Sequence, residues 1–324
     1  MSRKPDGRGR PAGGAVSARS RFVGCLLGGA VGDALGAAIE FHSRERIQAR
    51  YGLSGLTEFA KAYGRIGAIT DDTQMTLFTA EGLLRGHVRG ALKGICHMPG
   101  VVANAYQRWL HTQGEANQHG IGVGADDELS GWLISHAALH HRRGPGNSCL
   151  SSLRHMQTLG EPVQDDRKGC GGVMRAAPVG LYGWRESGGQ RLREVFTLGS
   201  QTAALTHGHP TGQLTAGALA VMVCLLVDGK ELRTALALAI EVLAEHKTHG
   251  ETLEALEHAV ELAGADVSRQ EAIAALGQGW VAEEALAIGV YCALKARDFG
   301  DGVVLAVNHS GDSDSTGSIT GNLL

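Results

Sequence analysis

The sequence predicts an all-α protein, folded as a single compact multi-helix domain over residues 21–324. From Arg21 onward, apolar residues recur three and four positions apart, with almost no sustained two-residue alternation. The polar loops near 112–127 and 160–171 do not resemble long domain linkers, and only seven prolines interrupt the chain. With 324 residues and 43% hydrophobic content, the chain can bury one large core.

The three- and four-residue spacing of apolar residues predicts where each helix lies along the chain. Helices are predicted near 21–40, 73–89, 100–112, 128–141, 148–159, 191–206, 212–228, 231–247, 251–264, 280–297 and 315–324. The first of these contains Gly24, Gly28, Gly29, Gly32 and Gly36. Because a glycine inside a helix costs ~1 kcal/mol relative to alanine, this repeated use predicts close helix-to-helix approach or a backbone that passes near a ligand.

The remaining features of the chain limit its location and partners. Residues 1–20 are rich in Gly, Arg, Ser and Pro and lack the apolar core of a secretory signal, so they predict a disordered tail. The apolar stretch 216–227 is short of the ~20 residues that span a bilayer and predicts a buried core helix. Six cysteines without C-x-x-C spacing indicate a reducing, cytoplasmic environment. A net charge of −3 with dispersed basic residues makes nucleic acid an unexpected partner.

Two short clusters of carboxylates and hydroxyls carry the strongest functional signal. They are Thr70-Asp71-Asp72-Thr73 and Asp312-Ser313-Asp314-Ser315, and each precedes a predicted helix. N-terminal capping is the alternative for either cluster alone, but capping needs one side chain, and adjacent carboxylates repel unless positive charge lies between them. Oxygen ligands suit Mg²⁺ or Mn²⁺ better than zinc, and four carboxylates can offset the charge of two divalent ions.

Four further segments contain residues of similar character. Asp33 and Glu40 are two helical turns apart and are predicted to share a helix face, unless each is a solvated or capping acid. Gly169–Gly172 form a turn that either cradles a phosphate or makes a tight connection. His207 has no metal-ligand spacing, so hydrogen bonding is the stronger expectation. Residues 143–148 read as a turn with capping groups for the next helix.

Together these segments resemble the ADP-ribosylglycohydrolase family. The matching motifs are GDALGAAIEF at 32–41, TDDT at 70–73, GCGGVMRAAPVGL at 169–181, THGHP at 206–210 and NHSGDSDSTGSITGNLL at 308–324. They occur in the family's order over nearly the whole chain. The resemblance implies an all-α domain with two Mg²⁺ or Mn²⁺ ions in a cleft. It also implies hydrolysis of the bond between ADP-ribose C1 and an acceptor, such as an arginine or serine side chain of a protein.

The resemblance also assigns roles to individual residues. It implies that metal is ligated by Thr70, Asp71 and Asp72 from one side and by Asp312, Asp314 and Ser315 from the other. It places Glu40 beside the metals, in contact with metal-bound water or gating the cleft. On acid–base grounds, either Glu40 or Asp72 is then expected to take the proton from the attacking water. It implies that ADP-ribose is contacted by Gly169, Gly171, Gly172 and His207.

The chain departs from the family pattern at three places. Ser315 replaces a threonine ligand but keeps the hydroxyl, and Cys170 stands where several members carry asparagine, which leaves the contacts to phosphate or ribose open. The chain stops at Leu324 inside a predicted helix, from which we expect a truncated C-terminal end. Two alternative functions follow: a catalytically silent ADP-ribose-binding or structural protein, and a hydrolase of a non-protein ADP-ribosyl conjugate. The presence of both acid clusters with Glu40 favours catalysis.

Overall fold

Fourteen α-helices dominate the part of the chain that the computed structural model describes, residues 16–121, 130–185 and 191–324. The helices are α1 (Ala18–Gly36), α2 (Arg44–Tyr51), α3 (Asp71–Lys93), α4 (Met98–Thr112), α5 (Asn147–His155), α6 (Ala177–Gly183), α7 (Leu192–Ala204), α8 (Pro210–Val227), α9 (Leu232–Leu243), α10 (Gly250–Gly264), α11 (Arg269–Leu276), α12 (Ala282–Lys295), α13 (Phe299–Val307) and α14 (Ser313–Leu323). A two-stranded antiparallel hairpin joins β1 (Lys61–Ala62) to β2 (Arg65–Ile66). The predicted all-α class is confirmed.

Several predicted boundaries differ from the structure. Residues 1–15 of the predicted tail lie outside the described residues, and α1 begins at Ala18. The helix predicted over 128–141 is wrong where it is described, because residues 130–141 form turns with one 3₁₀ turn at Ala137–Leu139. Leu133 and Leu139 are buried there without a helix, so tertiary packing overrides the helical spacing.

Four helices were missed by the sequence pattern: α2, α6, α11 and α13. Each spans only two turns or slightly more, so few apolar positions repeat at helical spacing. In α2, Ile47 is the one buried residue. The glutamate expected on the first helix also lies elsewhere, because α1 ends at Gly36 and Glu40 follows in a turn.

The core is centred on α8, which packs against α6, α7, α9 and α12. This helix contains the apolar stretch 216–227 and is long and apolar enough to meet the length and composition test for a membrane span. Most of its residues are nevertheless buried against neighbouring helices. It therefore occupies the position of the buried core helix that the sequence predicts.

The first and last helices pack together in antiparallel fashion with their backbones close. A Cβ on Gly32 would lie 2.0 Å from the carbonyl oxygen of Gly317, and one on Gly28 would lie 2.2 Å from that of Gly321. No side chain fits at these positions, which confirms the close approach predicted from the glycines of this helix. The packing places the C-terminal end of α1 beside the N-terminal end of α14.

Candidate active site

Three helix ends meet around one buried carboxylate, Asp33. This residue lies near the end of α1 and accepts hydrogen bonds from the backbone N–H of Thr70 at 2.9 Å and of Thr73 at 3.0 Å, and from the Thr73 hydroxyl. It therefore caps the N-terminus of α3 from outside that helix. Since α14 also begins here, the two Asp-plus-hydroxyl clusters are brought together by α1.

In each cluster one side chain caps the following helix, and other side-chain oxygens are not used for capping. Thr70 is the N-cap of α3, and its hydroxyl accepts from Asp72 N at 3.3 Å. Asp312 is the N-cap of α14 and accepts from Ser315 N at 3.2 Å. Asp71 Oδ2 accepts from Gly146 N at 3.2 Å, whereas Asp72 Oδ1 has no hydrogen-bond partner among the described residues. Capping alone therefore does not account for these acids.

A cleft of about 310 Å³ lies between the two clusters. Its lining contains most of the predicted site residues: Glu40, Asp71, Asp72, Gly169, Gly171, His207, Asp312, Asp314 and Ser315. Carboxylate oxygens of Glu40, Asp312 and Asp314 lie within 4.8 Å of one another. The fold thus gathers into one cleft residues that are far apart in the sequence.

Two predicted site residues, Thr70 and Gly172, do not line the cleft. Thr70 is buried behind it, and its side chain lowers the pKa of Asp314, so it lies beside an acid of the other cluster. Gly172 faces the core, where a Cβ would lie 2.9 Å from Ala203 Cβ and 2.9 Å from Gly212 O. Its glycine is explained by packing between the turn and the helices behind it.

Charge in the cleft is unbalanced. The carboxylate cluster, defined here as Asp33, Glu40, Asp71, Asp72, Asp312 and Asp314, forms no ion pair with a lysine or arginine in the described ranges. Burial is the largest cause of its raised pKa values, followed by the charge of Asp314; with all contributions, the pKa of Asp33 is about 7 and that of Glu40 about 11. Burial and then Asp314 also raise the pKa values of Asp71 and Asp72.

The cluster fits a hard divalent cation. Its donors are all oxygen, and two buried carboxylate oxygens, Glu40 Oε2 and Asp72 Oδ1, have no hydrogen-bond partner in the described part of the chain. An unpaired buried acid is costly unless it is protonated or meets positive charge. The acids that could hold such a cation are Asp71 and Asp72 at the start of α3 and Asp312 and Asp314 at the start of α14, with a Glu40 oxygen within 4.8 Å of the last two.

The opposite wall of the cleft is neutral. Burial, followed by the charge of Arg175, lowers the pKa of His207 to about 3, so the ring is uncharged at neutral pH. Its Nδ1 lies 2.9 Å from the Thr206 hydroxyl, to which Arg175 donates. The glycine turn runs over this ring, since a Cβ on Gly171 would lie 3.1 Å from His207 Cε1. This wall offers hydrogen bonding rather than a further charge.

Two aromatic residues at the cleft were not found by sequence reasoning. Phe41 and Trp280 stack with ring centroids 5.2 Å apart, and both line the cleft. Phe41 follows Glu40, is 68% exposed and has a φ of +66°, which is strained for a bulky residue. Trp280 O accepts from Cys170 N at 3.1 Å, so the stack ties the Glu40 turn to the glycine turn. The sequence pattern predicted Trp280 as the first residue of a helix and gave no indication of its contact with Phe41.

A third missed aromatic, Tyr63, lies in the turn of the β1–β2 hairpin with a φ of +47°. Burial and then the charge of Glu40 raise the pKa of its phenol. Its hydroxyl approaches Gly144, where a Cβ would lie 2.9 Å from it and 3.4 Å from Glu40 Oε2. Gly144 has a φ of +70°, so its turn needs glycine for both conformation and space.

The fold and the cleft together define an all-helical protein with a buried acidic site suited to divalent cations. The family model described as ADP-ribosylglycohydrolase matches residues 15–324. The chain therefore belongs to the ADP-ribosylglycohydrolase family and is an enzyme of the hydrolase class. This family depends on metal ions in general, and the acidic cluster is present here.

Relatives and a solved structure agree with this membership. The chain is 29% identical to an uncharacterized protein of Archaeoglobus fulgidus, covering 93% of this chain and 85% of that one. It is 27% identical to the ADP-ribosyl-[dinitrogen reductase] glycohydrolase of Rhodospirillum rubrum, covering 71% of this chain and 66% of that one. It is 24% identical to the ADP-ribosylarginine hydrolase Tri1 of Pseudomonas putida, covering 94% and 70%.

The structural comparison concerns the fold. An ADP-ribosylglycohydrolase-related protein complex contains a chain that superposes with a TM-score of 0.65 at 24% identity. The match covers 95% of this chain and 87% of that one. Nearly the whole described architecture is therefore shared with a known helical fold.

Proposed function

We propose that this protein is a hydrolase that removes ADP-ribose from a modified protein side chain with the help of two Mg²⁺ or Mn²⁺ ions. The observation that carries the proposal is the carboxylate cluster, which is buried in a cleft without a cationic side chain among the described residues, in a chain that belongs to the ADP-ribosylglycohydrolase family. Such a cluster has little value for stability, because mutual repulsion and burial both oppose its ionisation.

The residues proposed to hold the cations come from two helix N-termini. Asp71 and Asp72 act from α3, and Asp312 and Asp314 act from α14. The hydroxyls of Thr70 and Ser315 lie next to these acids in sequence, and the Thr70 side chain lowers the pKa of Asp314. When bound, a cation pair supplies positive charge that orients the ribose diol and lowers the barrier to attack by water.

Proton transfer and substrate placement are assigned to the chain's own groups. Glu40 or Asp72 accepts the proton of the attacking water, since Glu40 Oε2 and Asp72 Oδ1 are free of hydrogen bonds in the described ranges. Neutral His207 and the turn at Gly169–Gly171 line the wall where ADP-ribose is proposed to bind. A neutral imidazole can hydrogen-bond ribose or phosphate without attracting the carboxylates across the cleft.

Arginine is the acceptor that the cleft mouth favours. A guanidinium stacks on aromatic faces and pairs with carboxylates, and the mouth offers Phe41, Trp280 and an excess of negative charge. A serine hydroxyl gains neither interaction. Two of the relatives are named for ADP-ribosylated dinitrogen reductase and ADP-ribosylarginine, which supports the same choice.

The test is release of free ADP-ribose from peptides ADP-ribosylated on arginine or on serine. Each is incubated with Mg²⁺, with Mn²⁺ or with excess chelator, and Asp301→Asn serves as a matched variant of an acid outside the cleft. We expect cation-dependent release, faster from the arginine peptide, and loss of release in chelator. Release that ignores the chelator, or folded protein that binds ADP-ribose but cleaves neither peptide, contradicts the proposal.

A further inference from the structure

One buried arginine lies behind the neutral wall of the cleft and has no carboxylate among its partners in the described part of the chain. Arg175 is 1% exposed, and its Nη2 donates to Thr206 Oγ1 at 2.6 Å and to Thr202 O at 3.4 Å. Its Nη1 lies 3.4 Å from Cys149 Sγ, and the guanidinium carbon lies 4.3 Å from the centroid of the Tyr106 ring. A buried charge without a counter-ion is costly. Because its shortest contact is with the Thr206 hydroxyl, the charge acts most strongly on that group.

The Thr206 hydroxyl has one proton and two lone pairs, and its neighbours determine how each is used. Arg175 can only donate, so its Nη2 occupies one lone pair. The proton can go to His207 Nδ1 at 2.9 Å or to Ala203 O at 3.4 Å. The second distance exceeds the ~2.5–3.0 Å of an ordinary O–H···O hydrogen bond. The geometry therefore favours donation to Nδ1, and since the ring is neutral, its one proton is then on Nε2.

The two ring nitrogens of His207 face different parts of the protein. A Cβ on Gly172 would lie 3.5 Å from Nδ1, and this glycine faces the core. A Cβ on Gly171 would lie 3.4 Å from Nε2, and one on Gly169 would lie 3.6 Å from it; both of these glycines line the cleft. Nε2 has no hydrogen-bond partner within the described ranges. A proton on Nε2 is thus a donor at the cleft wall for which the described chain supplies no acceptor.

Charge favours the same proton position. The positive Arg175 guanidinium lies one hydroxyl away from Nδ1 and attracts the lone pair of that nitrogen. The carboxylate cluster lines the same cleft as the ring and favours an N–H on the side of Nε2. We propose that Arg175 and Thr206 are positioning residues that hold His207 in the tautomer with its proton on Nε2, so that the ring donates a hydrogen bond to an oxygen of bound ADP-ribose.

The two tautomers interact differently with ADP-ribose. Its diphosphate oxygens carry no proton at neutral pH and can only accept hydrogen bonds. A lone pair on Nε2 would oppose such an oxygen, whereas an N–H binds it. The bond forms equally with the bound substrate and with the transition state, so it changes KM more than kcat. The inference rests on the ADP-ribose site of the proposed function, and it adds two residues, Arg175 and Thr206, that do not line the cleft.

The experiment records ¹⁵N–¹H correlation spectra of the histidine rings in the full-length protein at pH 7, which distinguish a protonated ring nitrogen from an unprotonated one. The His207 signals are assigned from His207→Gln, which lacks them. Thr206→Val removes the hydroxyl with little change of shape, Thr206→Ser restores it, and Arg175→Met removes the guanidinium. The matched control is Thr202→Val, because Thr202 is also buried and its hydroxyl donates to Gly199 O at 2.8 Å within α7.

Two further measurements accompany the spectra. Circular dichroism checks that each variant is folded. Isothermal titration calorimetry in Mg²⁺ gives the affinity for ADP-ribose, and steady-state assays with the ADP-ribosylated arginine peptide separate KM from kcat.

We expect the unmodified protein to carry the His207 proton on Nε2, and Thr206→Ser and Thr202→Val to keep it there. In Thr206→Val both tautomers should be populated, because Nδ1 has lost its donor. The affinity for ADP-ribose should then fall about tenfold, the size expected when a buried polar contact loses its partner. KM should rise by a similar factor while kcat stays nearly unchanged. Arg175→Met should shift the tautomers in the same direction.

Three results overturn the inference: a proton on Nδ1 in the unmodified protein, an unchanged tautomer in folded Thr206→Val or Arg175→Met, or an unchanged affinity for ADP-ribose in Thr206→Val. Because the tautomer is measured without substrate, its failure is distinct from failure of the proposed function. Cation-dependent release of ADP-ribose by a protein with the His207 proton on Nδ1 overturns the tautomer alone. A Thr206-dependent proton on Nε2, in a protein that binds ADP-ribose but cleaves neither peptide, supports the inference and contradicts the proposed reaction.

Discussion

Two aspartates near the end of the chain, Asp301 and Asp314, have opposite surroundings. Asp301 accepts hydrogen bonds from Arg269 at 2.9 and 2.7 Å and is also paired with Arg297. The guanidinium of Arg269, followed by that of Arg297, holds the pKa of Asp301 far below its usual range. Asp314 is 2% exposed, has no such partner in the described ranges, and its pKa is raised well above the usual value, first by burial and then by Asp312.

The difference separates an acid whose charge is balanced within the fold from one whose charge is not. Asp301 finds its counter-charge within the fold, so nothing outside the protein is needed to keep it ionised. Asp314 shares its space with other acids, so it stays ionised only when positive charge arrives from outside. A strongly perturbed carboxyl in a cleft is therefore informative chiefly when no internal cation explains it.

The largest expected effect is on turnover. Asp314→Asn removes a charge from the cleft with little change in shape, and we expect the rate of ADP-ribose release to fall by at least about 10²-fold. Asp301→Asn should leave that rate nearly unchanged. Single-turnover assays at saturating Mg²⁺ measure both variants, with helical content from circular dichroism as the check on folding. Equal activity in the two variants would break the contrast between these acids.

Removal of divalent cations should make stability depend on pH. The folded pKa of Glu40 is about 11 and those of Asp71 and Asp314 are also raised, so the folded state holds protons that the unfolded state has released. Stability in chelator therefore falls as the pH rises from 7 to 9. This window lies above the usual histidine pKa, so His207, whose pKa is lowered, contributes no opposing slope.

Mg²⁺ should flatten this dependence, because it favours the ionised acids. At a free concentration about 100 times the dissociation constant, a ligand adds about 2.7 kcal/mol to the free energy of unfolding. Thermal unfolding at pH 7, 8 and 9, with chelator and with Mg²⁺, measures both effects. Superimposable melting curves with and without Mg²⁺ would contradict a site in which a bound cation balances the carboxylate charge.

Asp301→Asn tests the other half of the comparison. Its side chain is 11% exposed and receives charge-assisted hydrogen bonds that also tie α11 and the start of α13 to the segment after α12. We expect the variant to lose about 1.5–3 kcal/mol in the free energy of unfolding, measured by urea denaturation. The charge-dependent part of this loss should begin to shrink once the pH falls below the unfolded aspartate pKa and should vanish only near the much lower folded pKa, where the native carboxylate is also protonated.

The smallest predicted effect concerns the Phe41–Trp280 stack. An aromatic pair contributes about 0.5–1.5 kcal/mol, so Phe41→Ala should lower kcat/KM by about 2- to 10-fold through looser positioning of Glu40. The matched control is Phe22→Ala, which breaks the Phe22–Trp184 contact, 5.7 Å between centroids, away from the cleft lining. This control should lower stability without changing kcat/KM. A stack with no catalytic role would leave both variants equally active.

Much of the site was predictable because its signals are local. A carboxylate beside a hydroxyl at a helix start is visible in a few residues, which is why both Asp clusters were found. Glycine in helix interiors likewise indicated the contact between α1 and α14. The glutamate was predicted by motif, although the helix-face argument for it was wrong, because α1 ends before Glu40.

By itself, the sequence determined the helical class, the central apolar helix and the acids gathered at helix N-termini, because each depends on spacing within one or two turns. Only the tertiary structure decided that Asp33 caps α3, that Phe41 meets Trp280, and that Cys170 touches Asp312 across 142 residues of sequence. These contacts depend on how segments far apart in the chain pack together. The spacing of residues within one segment carries no information about which distant segment it will contact.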